Sequence, residues 1–230
     1  MRQKKNAVLS CAFLTLFLLL IALLHAVDVA PIGPEGTEIG LSRLNGAVRD
    51  LLPFRPGIYA VTEFLGILAL CVCAAFAVLG FLQLLRRKSL LRVDRELFLL
   101  AGLYVLVLAV YVFFEKAVVN YRPFILPNEA SPESSFPSSH TVLACVSFGS
   151  AFLLIPKYIG NARLSDALRA LSASAMIVLV LGRLLSGTHW LTDILGGALL
   201  SAALLCAFSA ALNFFMERTN KNPPGAREGD

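Results

Sequence analysis

Three short polar stretches interrupt the apolar second half of the chain. They read EKAVVNYRPF from Glu115, FPSSHT from Phe136 and GRLLSGTHWLTD from Gly182. Two of the three histidines, His140 and His189, lie in them. Because imidazole, carboxylate, guanidinium and ammonium groups are concentrated here, these stretches are the strongest candidates for a reactive site.

His189 and Asp193 are four residues apart, a spacing that places two side chains on one face of a helix. If the chain is helical from Thr188 onward, the carboxylate can accept the proton of one imidazole nitrogen and leave the other free as a nucleophile. The alternative is a polar pair that merely satisfies itself inside a helical bundle. An ionisable pair without function carries an insertion penalty in a membrane helix, which favours the reactive interpretation.

Three cationic side chains accompany the histidines: Lys116, Arg122 and Arg183. Each has an ordinary explanation, because a lysine can extend from a helix end towards water and an arginine can bind lipid phosphates. An arginine in a lipid-facing helix centre costs roughly 2.5–3.5 kcal/mol on insertion scales, so such residues usually face a cavity or an interface. Taken together, the three cations predict a site for an anion.

Pro137-Ser138-Ser139-His140 opens an apolar run and is typical of a helix N-terminus. Free N–H groups and the positive end of the helix dipole favour a bound anion there. Phosphate substitution suits this setting, because its catalysis depends mainly on positioning and charge stabilisation. Metal binding by His140, His189 and Asp193 is the alternative, but three nearby cations favour an anion over a divalent cation.

The composition indicates that these residues belong to a polytopic membrane protein. Of the 230 residues, 57% are hydrophobic and 15% are charged, and the mean hydropathy is +0.76. Soluble domains average about 45–50% apolar and about 25% charged residues. The net charge of +5 does not indicate nucleic-acid binding, because the basic residues form short clusters between apolar runs. The five cysteines all lie inside those runs, which favours small buried hydrophobic residues over disulfides or metal ligands.

A membrane span needs about 20 apolar residues. Four runs meet or approach this length, at 7–27, 58–85, 97–114 and 194–216, and two weaker candidates lie at 141–155 and 170–182. The first run is longer than the apolar region of a signal peptide, about 7–15 residues, so we expect a retained helix. We therefore predict an all-α bundle with about six transmembrane helices.

The distribution of basic residues predicts the orientation of this bundle. With the N-terminus inside, fourteen Lys and Arg residues fall in inner segments and six in outer segments, in agreement with the positive-inside rule. Both termini are then cytoplasmic and the polar stretches lie on the outer face. We expect one membrane-embedded domain over residues 1–230, with a polar cytoplasmic tail at 217–230. The loop 29–57 is consistent with a short surface helix such as 41–52 or with a lid, and neither the loop nor Glu63 is assigned a catalytic role.

The motifs resemble those of the type 2 phosphatidic acid phosphatase family, which shares its core with bacterial acid phosphatases and vanadium haloperoxidases. That family carries a lysine followed by Arg-Pro, then P-S-G-H, then S-R with a spaced His and Asp. The similar positions here are Lys116 with Arg122-Pro123, Pro137 to His140, and Arg183 with His189 and Asp193. The resemblance covers residues 116–197 closely and the remainder only by topology.

The chain departs from the family pattern at three positions. Five residues separate Lys116 from Arg122 where the family usually has six, and one residue rotates a helical side chain by about 100°. Displacement of Lys116 from the family's position is therefore one expectation. Ser139 stands where glycine is usual, and Gly182 replaces the usual serine.

The resemblance implies a hydrolase that acts on a lipid phosphate or diphosphate without a metal or other cofactor. His189 would form a phosphohistidine, Asp193 would orient it, and His140 would protonate the leaving oxygen. The phosphoryl oxygens would be bound by the remaining motif residues, Lys116, Arg122, Ser138, Ser139 and Arg183. Undecaprenyl diphosphate, phosphatidic acid and phosphatidylglycerophosphate are the substrate classes that it implies.

Three alternatives stay open. A catalytically impaired relative that binds or moves lipids is suggested by the departures at Lys116 and Ser139. A phosphotransferase would pass the phosphoryl group to an acceptor other than water. A transporter would place its ionisable groups near mid-span, whereas most of these groups lie at span ends.

Overall fold

A computed structural model describes residues 2–126 and 129–221 of the chain. Within these ranges the regular structure is helical, with seven α-helices and two short 3₁₀ turns at Pro34–Gly36 and Leu90–Arg92. The α-helices are α1 (Arg2–Ala26), α2 (Ser42–Leu51), α3 (Pro56–Arg87), α4 (Arg95–Lys116), α5 (Ser139–Tyr158), α6 (Ala162–Leu185) and α7 (Leu191–Lys221). All except α2 are long and apolar enough to cross a membrane. The predicted all-α architecture with six spans is confirmed.

The two weakest predicted spans are complete helices, α5 and α6. Half of the most apolar window of α5 is buried within the protein, against 11–17% for α1, α3 and α4. A helix surrounded by other helices faces little lipid and can carry polar residues such as Thr141, Ser147 and Ser150, all of which are fully buried. This interior position explains why the hydropathy of α5 is the lowest of the six spans.

The first helix is an integral part of the bundle. Phe17 and Leu24 of α1 are buried in the main apolar core together with Leu200 and Phe208 of α7. Polar contacts join the same two helices, since Asn6 Nδ2 donates to Ser209 Oγ at 2.8 Å. This packing favours the interpretation of α1 as a retained helix.

The connections before α3, α5 and α7 meet at one end of the bundle, which we call the site end. The backbone N–H of Arg55 donates to the Ser186 carbonyl at 3.0 Å, and Trp190 Nε1 donates to the Tyr121 carbonyl at 2.6 Å. The short helix α2 also lies there, because its buried Asn45 hydrogen-bonds to Thr192. The structure thus gathers the polar stretches of the sequence at a single end.

The opposite end is tied together by an acid–base cluster. Asp94 accepts hydrogen bonds from Gln83 and Arg87, each at 2.9 Å, and lies 3.9 Å from Lys157 Nζ. Although partial burial opposes ionisation of Asp94, these hydrogen bonds and nearby cations lower its pKa below the ordinary value of 3.8. The cluster joins α3, the start of α4 and the end of α5.

The remaining predictions concern the C-terminus and the cysteines. Helix α7 extends to Lys221, so part of the predicted tail 217–230 is helical, and residues 222–230 lie outside the described residues. The five cysteines are free thiols, but Cys11 and Cys71 are exposed, so the prediction of buried residues is wrong for these two.

Candidate active site

His189 lies in the turn between α6 and α7, not in a helix. The condition for placing His189 and Asp193 on one helix face, a helix from Thr188 onward, is not met, because α7 begins only at Leu191. Gly187 has a φ of 71°, a left-handed conformation that favours glycine. A Cβ atom at this position would also lie 2.6 Å from the Leu52 carbonyl oxygen. The turn therefore ends α6 abruptly and presses the His189 segment against the loop that follows α2.

Asp193 nevertheless faces His189, because its side chain folds back over the first turn of α7. The carboxylate is fully buried. Its Oδ2 accepts a hydrogen bond from the Trp190 N–H at 3.0 Å and lies 3.4 Å from His189 Nδ1. Its Oδ1 accepts a hydrogen bond from Asn120 Nδ2 at 3.2 Å. Asp193 thus caps α7 in the manner of a capping-box acid and also faces the imidazole.

The other imidazole nitrogen, His189 Nε2, faces two guanidinium groups. Arg183 Nη2 lies 3.3 Å from it and Arg122 Nη1 lies 3.5 Å from it. A guanidinium can only donate hydrogen bonds, so Nε2 must be the acceptor and the ring proton belongs on Nδ1, towards Asp193. Burial, together with the charges of the two arginines, lowers the pKa of His189 well below its ordinary value of 6.5. The geometry presents a neutral imidazole whose Nε2 lone pair points at the two guanidinium groups.

Both arginines are held by acidic partners. The side chain of Arg183 is fully buried, and its Nη1 donates to Glu63 Oε1 at 2.7 Å. The side chain of Arg122 is 13% exposed, and its Nε donates to Glu133 Oε2 at 3.0 Å. These ion pairs fix the two guanidinium groups, and each group directs one Nη atom at His189 Nε2.

His140 lies in the first turn of α5, as the sequence predicts for a helix start. Its Nε2 is 3.3 Å from Glu63 Oε1. Ser138 is the N-cap of α5, and its Oγ accepts a hydrogen bond from the Thr141 N–H at 3.4 Å. The Ser138 N–H donates to the Asp193 carbonyl at 3.1 Å, which docks the start of α5 on the start of α7.

A cavity of about 860 Å³ joins these groups. Its polar end includes Arg122, His140 and His189, and Ser139 also lines it. The rest of its wall comes from α3, α4, α5 and the connection between α4 and α5. Its helical part is mainly apolar, with residues such as Leu70, Tyr104, Val107, Leu143 and Val146. The cavity therefore combines a cationic head region with an apolar extension between membrane-spanning helices.

Four of the predicted site residues, Lys116, Ser138, Arg183 and Asp193, do not line this cavity. Ser138, Arg183 and Asp193 still contact other site residues, which leaves Lys116 apart from the site. It is exposed at the end of α4 and is absent from the cavity wall. Among the described residues it has no hydrogen bond or ion pair. Lys116 is the last residue of α4, and residues 117–121 between it and Arg122 are not helical.

Four residues near the site were not selected from the sequence: Asn45, Glu63, Asn120 and Glu133. Glu63 is recognisable in the sequence as a candidate, because it is an acid within an otherwise uncharged apolar run. Asn120 and Glu133 lie inside the polar segment 115–140, where the sequence does not distinguish them from the other polar residues. Asn45 could not be selected, because nothing in the neighbouring sequence distinguishes it from other polar asparagines.

The candidate metal ligands His140, His189 and Asp193 are not grouped as a metal centre in the described part of the chain. Over residues 2–126 and 129–221, no group of three or more His, Cys, Asp or Glu side chains is placed to hold a metal ion. His140 and His189 instead face arginines and acids that are already paired with one another.

Comparison with known protein families identifies one that matches this chain. A family model described as the PAP2 superfamily matches residues 95–217, which include α4 to α6, most of α7 and every predicted site residue. The resemblance inferred from the motifs is thereby confirmed. No curated protein matched the sequence.

A solved structure has a similar fold. It is described as the first transmembrane PAP2 type phosphatidylglycerolphosphate phosphatase from Bacillus subtilis. The alignment covers 91% of this chain and 96% of that one, with 19% identity and a TM-score of 0.63. At this identity the likeness establishes the fold, including the helices that precede the family match.

Proposed function

This chain belongs to the PAP2 superfamily, and we propose that it is a membrane phosphatase that hydrolyses a lipid phosphate or diphosphate. The observation that carries the proposal is the position of His189 Nε2, which lies within 3.5 Å of two guanidinium groups. His189 and Arg122 line the polar end of the cavity, and the buried Arg183 lies beside them. An unprotonated imidazole nitrogen between two cations suits nucleophilic attack on a phosphoryl group whose oxygens those cations bind.

In the proposed reaction, His189 Nε2 attacks phosphorus and the bond from phosphorus to the leaving oxygen breaks. His140 gives a proton to that oxygen, so the lipid product leaves as an alcohol, or as a monophosphate when the substrate is a diphosphate. Water then attacks the phosphohistidine, with His140 accepting a proton from it, and inorganic phosphate is released. Preorganised cations aimed at the phosphoryl oxygens stabilise the charge that develops in each transition state.

The other site residues have supporting roles in this scheme. Arg122 and Arg183 bind the phosphoryl oxygens, and Asp193 holds the His189 proton on Nδ1. Ser138 shapes the N-terminus of α5, where Ser139 and the free N–H groups of the first turn favour an anion. Lys116 takes part only if the end of α4 rearranges when the substrate binds.

The apolar part of the cavity supports a lipid as the substrate. A phosphate at the polar end would leave its hydrocarbon chain among α3, α4 and α5, where the wall is apolar. Undecaprenyl diphosphate, phosphatidic acid and phosphatidylglycerophosphate are the candidate classes. The basic-residue distribution supports cytoplasmic termini and a site on the extracytoplasmic face.

The displacement of Lys116 favours a second candidate, a catalytically impaired relative that binds lipid phosphates without turnover. One experiment decides between the two. Purified protein is given a panel of lipid phosphates and diphosphates with and without chelator and vanadate, and phosphate release is measured. We expect turnover that survives chelation and is inhibited by vanadate.

Two histidine variants complete this test. Replacing the nucleophile in His189→Ala is expected to reduce kcat by at least about 10³-fold. His25→Ala is the matched control, because His25 is exposed at the end of α1 and does not line the cavity. Release that is absent from the wild type, or unchanged in His189→Ala, contradicts the proposal.

A further inference from the structure

One face of α3 contacts two of the predicted site residues. Tyr59, Thr62, Glu63 and Gly66 have the spacing i, i+3, i+4 and i+7, which places them on one side of a helix. They lie outside the segment 95–217 that the family model matches and outside all three sequence motifs. We call these four residues the α3 face.

The first contacts of the α3 face are with Arg183. The Arg183 guanidinium lies over the Tyr59 ring, with its central carbon 5.2 Å from the ring centroid. Its Nη1 donates hydrogen bonds to Thr62 Oγ1 at 3.2 Å and to Glu63 Oε1 at 2.7 Å. The fully buried Arg183 guanidinium therefore contacts an aromatic ring, a hydroxyl and a carboxylate, all from α3. Its Nη2 remains directed at His189.

The second set of contacts is with His140. The same oxygen of Glu63 that pairs with Arg183 lies 3.3 Å from His140 Nε2. Gly66, one turn further along α3, leaves room for the imidazole, because a Cβ atom there would lie 3.0 Å from His140 Cδ2 and 3.2 Å from Nε2. The Glu63 carboxylate thus contacts the His140 ring on one side, and the backbone of Gly66 lies against the ring on another.

Gly182 explains how α3 and α6 come close enough for these contacts. A Cβ atom at Gly182 would lie only 2.6 Å from Thr62 Cγ2. The sequence departs from its family here, with glycine in place of the usual serine. The glycine admits Thr62, which in turn contacts the arginine that follows Gly182.

From these contacts we infer that the α3 face is a fourth part of the active site, in which Glu63 is a positioning residue that fixes His140 and Arg183 relative to each other. An ionisable residue within a membrane span is costly unless it is paired, and Glu63 is paired with groups of two other helices. Its catalytic consequence rests on the proposed function, since it concerns the proton donor and one of the phosphate-binding arginines.

The role through His140 has a signature that a purely structural role lacks. A proton donor accelerates departure of a poor leaving group, such as an alkyl alcohol, far more than that of a good one, such as an activated phenol. Displacing His140 should therefore slow hydrolysis of an alkyl lipid phosphate much more than hydrolysis of p-nitrophenyl phosphate.

Gly66→Ala tests this signature because its added methyl group meets the His140 ring. We expect kcat for an alkyl lipid phosphate to fall at least about tenfold and kcat for p-nitrophenyl phosphate to fall less than about threefold. Gly80→Ala is the matched control on the same helix, where the nearest atom to the new Cβ is Leu97 Cδ1 at an ordinary 3.8 Å. Equal losses in the two glycine variants, or no loss in Gly66→Ala, overturn the inference.

Glu63→Gln tests the contact with both partners. It keeps the side-chain length and removes the charge that Arg183 and His140 share, so we expect kcat to fall at least about tenfold with the alkyl substrate and less with the aryl substrate. Glu38→Gln is the control, because Glu38 is an exposed loop residue that does not line the cavity. A loss no greater than that of Glu38→Gln counts against the inference.

A spectroscopic measurement separates this inference from the proposed function. The chain has three histidines, so the ring ¹⁵N signals of labelled protein can be assigned with single His→Gln variants. Glu63→Gln and Gly66→Ala should shift the His140 signals, whereas Glu38→Gln and Gly80→Ala should leave them in place. Wild-type protein without turnover would contradict only the proposed function, but unshifted His140 signals would overturn the positioning role whether or not the protein hydrolyses phosphate.

Discussion

Nη2 of Arg183 lies 3.3 Å from Nε2 of His189. The arginine side chain is fully buried and the histidine is 4% exposed, so this direct contact is shielded from bulk water. Since the guanidinium can only donate, the contact requires an unprotonated Nε2. The same arginine therefore holds the imidazole in its nucleophilic form and offers a cation to the group that the imidazole would attack.

This arrangement makes a prediction about pH. His189 must be neutral to attack, and burial with the neighbouring cations lowers its pKa well below 6.5. The acid limb of the kcat/KM profile should therefore lie below pH 6.5. Arg122→Gln removes one of those cations, so the pKa of His189 should rise and the acid limb should move to higher pH.

The measurement is the dependence of kcat/KM on pH from 4 to 8 for both proteins. Ionisation of the substrate is common to the two and cancels in the comparison. Arg43→Gln serves as the control, because the Arg43 side chain is 93% exposed. An acid limb that stays in place or moves lower in Arg122→Gln contradicts the assignment of His189 as the neutral nucleophile.

Asp193 has two separable roles that substitutions can distinguish. In Asp193→Asn an amide oxygen can still accept from the Trp190 N–H, but the orientation of His189 is lost and we expect kcat to fall about 10²–10⁴-fold. In Asp193→Ala the cap of α7 is lost as well, at a further cost of about 1 kcal/mol in stability. Turnover and thermal unfolding in detergent check the two effects. Activity of Asp193→Asn within tenfold of the wild type would argue against the orienting role.

Much of the fold is predictable from the sequence because membrane helices are specified locally, by runs of apolar residues. The two weak spans show the limit of that rule. Helix α5 is surrounded by other helices, and its buried Thr141 and Ser147 lower the hydropathy that would identify it. The burial that weakens its signal is a property of the assembled bundle.

The site was only partly predictable for a related reason. His140, His189 and Asp193 could be selected because they occur in short polar stretches, but their supporting partners are distant in the chain. Glu63 is 120 residues from Arg183, and Asn45 is 147 residues from Thr192. The turn at Gly187 depends equally on the tertiary structure, since the loop after α2 occupies the space beside it.

Asn45 gives a prediction about long-range support of the site. It is fully buried in α2, its Nδ2 donates to Thr192 Oγ1 at 3.0 Å, and its Oδ1 accepts from the Thr192 N–H at 3.3 Å. Asn45→Ala removes both hydrogen bonds to buried groups of Thr192, the residue before Asp193, so we expect a stability loss of about 1–3 kcal/mol. We also expect a lower kcat.

Thermal unfolding in detergent and turnover measure both effects. Asn6→Ala is the comparison, because Asn6 makes a single side-chain hydrogen bond, to Ser209, in a part-buried position. It should lose less stability and keep its kcat. If Asn45→Ala is as stable as Asn6→Ala and fully active, the helix α2 does not support the site.

Lys116 and Arg122 belong to the same sequence motif, but the structure separates them. Arg122 lines the cavity and lies 3.5 Å from His189, whereas Lys116 is exposed outside it. Arg122→Met should therefore reduce kcat/KM by at least about 10²-fold, the scale of losing one preorganised stabilising group from a transition state. Lys116→Met should cost less than about threefold. Steady-state kinetics on one lipid phosphate compare the two variants directly, and an equal loss would mean that the end of α4 turns the lysine into the site when substrate binds.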